Sequence, residues 1–184
     1  LTIDIGGTGI KMLILGDDGR PQTERARERT PRPSNPEAVL EVIGAMVRVQ
    51  PAFDRVSVGF PGVVTQGVVR TAPNLGTETW AGHDLQSEIA LLAKKPVRVI
   101  NDADLQGYGV IAGKGVEMVV TLGTGMGTAL YIDGRLVPNL ELGHHPFRKD
   151  RSYEQYDNDE ELSRIGKERW NRRVVRVIEQ LAPI

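Results

Sequence analysis

A few short stretches hold most of the residues whose types suggest chemistry. In DIGGTGIKMLIL, residues 4–15, three glycines and a threonine interrupt an apolar run. Glycine lets a ligand approach the backbone closely, successive N–H groups form an anion nest, and a threonine hydroxyl adds a donor. TLGTGMGTALYI, residues 121–132, has the same make-up. Gly6, Gly7, Thr8 and Gly9 therefore form one phosphate-sized loop, and Thr121, Gly123, Thr124, Gly125, Gly127 and Thr128 a second. Neither matches GxxxxGK[ST] or GxGxxG. A lone turn of this kind is more often just a tight turn; two of like composition argue for a ligand. Asp4, immediately before the first loop, repels phosphate unless a cation intervenes. Mg²⁺ held largely through water resolves that conflict, and turn capping is the alternative. Lys11 either neutralises phosphate or is a solvated strand lysine.

Two polar clusters are of a different kind. INDAD, residues 100–104, directly follows a buried-looking strand, where α/β proteins place ligands. Asn101 can donate to and accept from a hydroxyl, and Asp102 or Asp104 can take its proton. The same residues can equally cap a helix. In ELGHHPF, residues 141–147, Glu141 and His144 are three apart. They suit a polyol, a metal or a solvated turn, and metal is the weakest of these because thiolates are absent and the other histidines are His83 and His145. Trp80 reads as core.

These residues need elements to hold them. Leu1–Ile5 and Ile10–Leu15 read as strands of a hairpin closed by GGTG. Residues 20–35 are polar and proline-containing, a strand flanked by loop. Asn35 and Pro36 start a helix whose apolar positions are Val39, Leu40, Ile43, Met46 and Val47. Strands follow at Arg55–Gly59, Val97–Ile100, Glu117–Leu122 and Thr128–Ile132, and short β pieces surround Gly67. A helix at Leu85–Ala93 places Leu85, Ile89, Leu92 and Ala93 on one face. Asp133-Gly134 is a hairpin turn before Arg135–Val137, and the tail from Asp159 is a charged helix or helix pair. Strands alternate with helices but hairpins intrude, so the fold class is α/β with a mixed sheet. The repeated strand–loop–strand pattern suggests two related halves.

Composition narrows the function classes. The chain has 184 residues, 23 basic and 24 acidic, with a net charge of −1 and no cysteine. Nothing indicates a nucleic-acid or membrane surface, no apolar run reaches the ~20 residues of a membrane span, and thiolate zinc sites are excluded. No signal-peptide pattern opens it. Leu1 already reads as strand and the sequence stops near a helix, so both ends read as cut.

In order, DIGGTGIK, GFPGVV, TAPNL, INDAD, TLGTGMGTAL and ELGHHPF resemble the ROK sugar kinases, and most nearly their polyphosphate glucokinase and glucomannokinase branch. FRKDRSYEQY and GKERWN support that branch. The resemblance implies an actin-like ATPase (ribonuclease H-like) fold of two domains around a cleft, here 1–100 and 101–184 with the C-terminal part incomplete. It implies a cytoplasmic glucokinase that uses ATP or polyphosphate with Mg²⁺ and no zinc, and a possible homodimer. Asp102 matches the general base. Asn101, Glu141 and His144 match sugar-hydroxyl ligands, with Glu154 a further one, and Pro61, Gly62 and Asn74 line the sugar side. Alternatives within the resemblance are a kinase for mannose or an N-acetylated sugar, and a sugar-responsive regulator. The family's adenosine-contacting segment would lie beyond Ile184.

Overall fold

The computed structural model describes residues 1–123 and 125–182. Two compact units divide the chain, Leu1–Gly109 and Val110–Ile184. The division falls beyond the expected 100/101 boundary because the segment after Ile100 packs on strands of the first unit.

The first unit opens on a hairpin of β1 (Thr2–Ile5) and β2 (Gly9–Leu13), and β3 (Ala26–Arg29) pairs antiparallel with β2. Helix α1 (Pro36–Arg48) starts where Asn35 accepts a hydrogen bond from the Ala38 N–H at 3.0 Å, a cap typically worth ~1 kcal/mol. Strand β4 (Val56–Phe60) pairs in parallel with β1. A ribbon of β5 (Val64–Thr65) and β6 (Val68–Val69) turns at Gln66-Gly67. Helices α2 (Thr77–Trp80) and α3 (Leu85–Ala93) follow, then β7 (Val97–Asn101), parallel to β4, and α4 (Asp102–Gly107). The sheet order is β3-β2-β1-β4-β7, mixed as expected.

Period-two alternation gives this sheet two unlike faces. Ile3, Ile5, Ile10, Met12, Val58, Phe60 and Val99 point into a core closed by Val39 and Ile43 of α1 and Leu85 and Ile89 of α3. Trp80 is fully buried there, 4.9 Å from the Phe60 ring, and donates its Nε1–H to the Ser34 carbonyl at 2.7 Å. Leu92 departs from expectation: it is 42% exposed, because it lies on the last turn of α3 against Gly44 rather than over the sheet. The opposite face carries Thr2, Asp4, Lys11 and Leu13, and α4 covers part of it. Gly59 permits that packing, since a Cβ there would meet Asp102 Cα at 3.3 Å.

The second unit also opens on an antiparallel meander, β8 (Val116–Leu122), β9 (Met126–Ile132) and β10 (Arg135–Val137), in the order β10-β9-β8. Asp133 and Gly134 have φ of 49° and 73°, the left-handed pair that a type I′ turn demands. A 3₁₀ turn at Leu142–His144 leads to the ribbon β11 (Pro146–Arg148) and β12 (Arg151–Ser152). Three helices close the unit: α5 (Tyr153–Asp157), with a Ser152/Gln155 capping box, α6 (Asp159–Ile165) and α7 (Lys167–Leu181). The last two are the charged helix pair expected from Asp159.

Met126, Tyr156, Val177 and Leu181 form this unit's small core. Beside it Glu161, with its side chain 9% exposed, receives Arg164 at 2.6 Å, Arg173 at 2.5 Å and Arg151 at 3.1 Å. These hydrogen bonds, led by Arg164, hold its carboxyl down at about 2. Asp157 is also fully buried, but neither carboxylate oxygen has a hydrogen-bond partner. Burial pushes its pKa up to about 6, against a smaller lowering by Arg173.

Candidate functional site

In the first unit, the site forms around the β1–β2 loop. Gly6 N–H donates to the Gly9 carbonyl at 3.0 Å and closes the turn. The segment between β3 and α1 then grips the loop from outside. Thr30 Oγ1 donates to the Gly6 carbonyl at 2.5 Å, and Arg32 Nη2 to the Gly7 carbonyl at 2.9 Å. With these carbonyls held, the N–H groups of Gly7 and Thr8 have no acceptor among the described residues. Adjacent unpaired N–H groups on a fixed turn are the donors of an anion nest. Asn74 is exposed and close by: a Cβ on Gly7 would meet Asn74 Cβ at 3.4 Å.

Asp4 and Lys11 are direct cross-strand partners and form an ion pair at 2.8 Å. They line a cavity of about 370 Å³ on the second face, together with Gly59, Arg25, Asp102 and Gln106. Asp102 is the first residue of α4, half-buried, and its Oδ1 accepts from the Ala103 N–H at 2.9 Å. Asn101 does the work of a helix cap: Oδ1 accepts from Asp104 N–H at 3.0 Å, and Nδ2 donates to the Gly62 carbonyl at 3.3 Å. Pro61 and Gly62 are buried. A Cβ on Gly62 would lie 2.0 Å from the Thr71 carbonyl oxygen, so the GFPG turn exists only with glycine there.

In the second unit, the imidazole of His144 stands between two carboxylates. Nε2 is 3.5 Å from Glu141 and Nδ1 is 3.6 Å from Glu154. Glu141 has φ 47°, a left-handed backbone that is uncommon for a non-glycine residue. Burial raises its pKa, with Glu154 adding to the rise and His144 opposing it. Gly143 fits only without a side chain, since a Cβ would reach the Met126 carbonyl oxygen at 2.0 Å. Glu154 lies against the second glycine loop: a Cβ on Gly125 would meet its Cδ at 2.8 Å. Gly123 N–H donates to Gly125 O, and Gly123 O accepts from Asp159 N–H, both at 2.9 Å. Thr121 and Gly127 are register partners in β8 and β9.

The structure thus brings Gly125, Glu141, His144 and Glu154 together in one unit, and Asp4, Lys11 and Asp102 in the other. Thr128 takes a different place from the one expected. It is 4% exposed, and its hydroxyl accepts from the Leu142 N–H at 3.1 Å, so it supports the ELGHH turn from beneath instead of facing a donor. Thr124 lies outside the described residues. Thr30 and Arg32, which fix the first loop, escaped sequence reasoning. Their partners are more than twenty residues away, and no local pattern marks such contacts.

No group of three or more His, Cys, Asp or Glu that could hold a metal occurs among the described residues. One accessible carboxylate, Asp4, beside a phosphate-sized loop nevertheless fits a hydrated Mg²⁺. That ion keeps several waters and takes one or two carboxylates plus substrate phosphates.

The ROK family model matches residues 1–154. The chain belongs to the ROK family. A Mycobacterium leprae polyphosphate glucokinase is 41% identical over 152 residues, 77% of this chain and 46% of the relative. The chain spans about half the length of the curated relatives it matches. The inorganic polyphosphate/ATP-glucomannokinase of Arthrobacter sp. strain KM superposes with a TM-score of 0.79 at 39% identity, over 88% of this chain and 69% of that one. A ROK family glucokinase from Streptomyces griseus, in complex with glucose and AMPPNP, gives 0.77 at 26% identity, over 88% and 58%. The mixed α/β architecture is that of the ROK kinases, an actin-like ATPase fold.

Proposed function

We propose that this ROK chain is part of a cytoplasmic glucokinase that moves the terminal phosphoryl group of ATP or polyphosphate to the 6-hydroxyl of glucose. The observation that carries the reading is the second-face cavity. It gathers one aspartate at a helix start, Asp102, with an ion pair, Asp4–Lys11, behind a glycine loop. Phosphoryl transfer asks a protein for alignment and charge neutralisation more than for covalent chemistry, and these residue types supply both. The names of the relatives point the same way.

In this reading Asp102 accepts the 6-hydroxyl proton as that oxygen bonds to phosphorus and the bond to the leaving phosphate oxygen breaks. The N–H groups of Gly7 and Thr8 bind donor oxygens, and Lys11 turns from Asp4 to the donor. Asp4 would hold Mg²⁺ through the ion's waters, and the ion would supply neutralisation of donor charge. Glu141, His144 and Glu154 take sugar hydroxyls: carboxylates accept, and an imidazole both donates and accepts. Asn101, fixed by its cap and by Gly62, presents its amide edge on the sugar side.

Asp102→Asn tests the assignment in a coupled glucose 6-phosphate assay with ATP and with polyphosphate, beside glucose binding by calorimetry. Loss of the base lowers kcat by ~10²–10⁴ and leaves glucose affinity within a few-fold. Retained turnover with intact affinity would remove Asp102 from that role.

A further inference from the structure

Strand β3 is the outer edge of the first unit's sheet, and with the residue before it reads RARER, residues 25–29. Its register on β2 sorts these side chains. Ala26 is opposite Met12 and Glu28 opposite Ile10, both core residues, so Ala26 and Glu28 belong to the core side. Arg27 is opposite Lys11 and Arg29 opposite Gly9. The arginines therefore share the face that carries Asp4, Lys11 and the cavity, and Arg25 itself lines that cavity. Arg27 leans over the start of β2, where a Cβ on Gly9 would come within 3.0 Å of its Nε. Arg29 directly precedes Thr30, which holds the Gly6 carbonyl. The row thus leads into the first glycine loop.

All three arginines are exposed, and among the described residues none is in an ion pair. Asp4 and Asp102 are the acids on the cavity side, and Asp4 is already taken by Lys11. Edge strands often carry charge to block pairing with another chain. That need is met by either sign on either side, and does not explain one sign confined to the side of the cavity. Alternate strand residues repeat at about 6.6–6.8 Å, so the guanidinium groups form a spaced row of bidentate phosphate binders. A nucleoside triphosphate is too short in charge to use such a row beyond the loop. A linear polyanion is not.

We propose that Arg25, Arg27 and Arg29 form a track for the chain of linear inorganic polyphosphate whose reactive end sits at the first glycine loop. The inference rests on the phosphotransferase reading for which end reacts, but not for binding itself. It is tested with the double variant Arg27→Gln/Arg29→Gln, with Arg27→Lys/Arg29→Lys as rescue and Arg169→Gln/Arg172→Gln as a control for loss of charge elsewhere. Fluorescence anisotropy with end-labelled long-chain polyphosphate and with tripolyphosphate, without sugar, gives affinities, and a melting curve verifies folding.

The glutamine pair is expected to weaken long-chain binding at least ~10-fold at low salt and to reduce the log–log salt slope by about two, one counterion per lost contact. Tripolyphosphate affinity falls much less, the lysine pair recovers part of the loss, and the control stays near the wild type. Equal loss for long and short donors, an equal loss in the control, or no loss overturns the track. So does a single-stranded oligonucleotide that competes as well as polyphosphate at equal charge. Arginine-dependent polyphosphate binding without glucose phosphorylation would refute the kinase reading and keep the track. Polyphosphate-driven turnover whose donor KM ignores both arginines would do the reverse.

Discussion

Replacing Asp157 with leucine should stabilise the protein at neutral pH, and the gain should shrink as the pH falls. The carboxylate is fully buried without a hydrogen-bond partner, and its pKa is raised from 3.8 to about 6. An acid with a raised folded pKa binds its proton more readily folded than unfolded. The folded state therefore pays no charge penalty below pH 3.8, an increasing one between 3.8 and about 6, and the full one above. The rise from 3.8 to about 6 is worth on the order of 3 kcal/mol at pH 7, and the linkage relation leaves roughly half of it at pH 5. Urea unfolding of both proteins at pH 5, 6 and 7 reads this as a variant-minus-wild-type difference that falls to roughly half from pH 7 to pH 5. Groups common to both proteins cancel in the difference. Glu161, whose pKa is depressed to about 2, contributes stability that is lost only as the pH falls below 4.5 towards 2, outside this range. A pH-independent difference, or a leucine variant less stable than wild type at pH 7, would show that Asp157 is solvated or paired and refute the argument.

Other consequences follow from close approaches and the arginine cluster. Gly62→Ala forces a Cβ to 2.0 Å from a backbone oxygen, so it should cost at least ~3 kcal/mol or prevent folding, read by thermal melting. Gly125→Ala pushes a methyl group into the Glu154 carboxylate, whose atoms lie 2.8–3.0 Å from the new Cβ. The side chain can swing aside, so stability should fall by less than ~1 kcal/mol while the glucose KM rises several-fold. Glu161→Gln leaves Arg151, Arg164 and Arg173 without their shared carboxylate. It should destabilise by ~2–4 kcal/mol at pH 7, and by much less at pH 3, where the wild-type advantage is already partly lost.

What was legible in the sequence was whatever a local rule governs. Asn35 and Pro36 announced α1 because capping and a fixed proline φ act within one turn. Asp133-Gly134 announced its hairpin because the turn needs two left-handed residues. The glycine loops were visible for the same reason, and so was their recurrence, which the structure repeats as two meanders, β1-β2-β3 and β8-β9-β10. What was not legible depends on partners distant in the chain. Thr128 reads as a loop donor, yet its hydroxyl accepts from the N–H of Leu142, fourteen residues on. Leu92 shared a helical face with Ile89 but not a neighbour beneath it. Asn101 illustrates the middle case. Helix capping and sugar binding stand as alternatives in the string, and the structure shows the cap: Oδ1 accepts from the Asp104 N–H and Nδ2 donates to the Gly62 carbonyl. Both bonds reach beyond the residue's own strand and fix its rotamer at the start of α4. Arg25, Arg27 and Arg29 are, as a string, an ordinary charged segment; only the register of β3 on β2 puts Arg27 and Arg29 on the face whose cavity Arg25 lines.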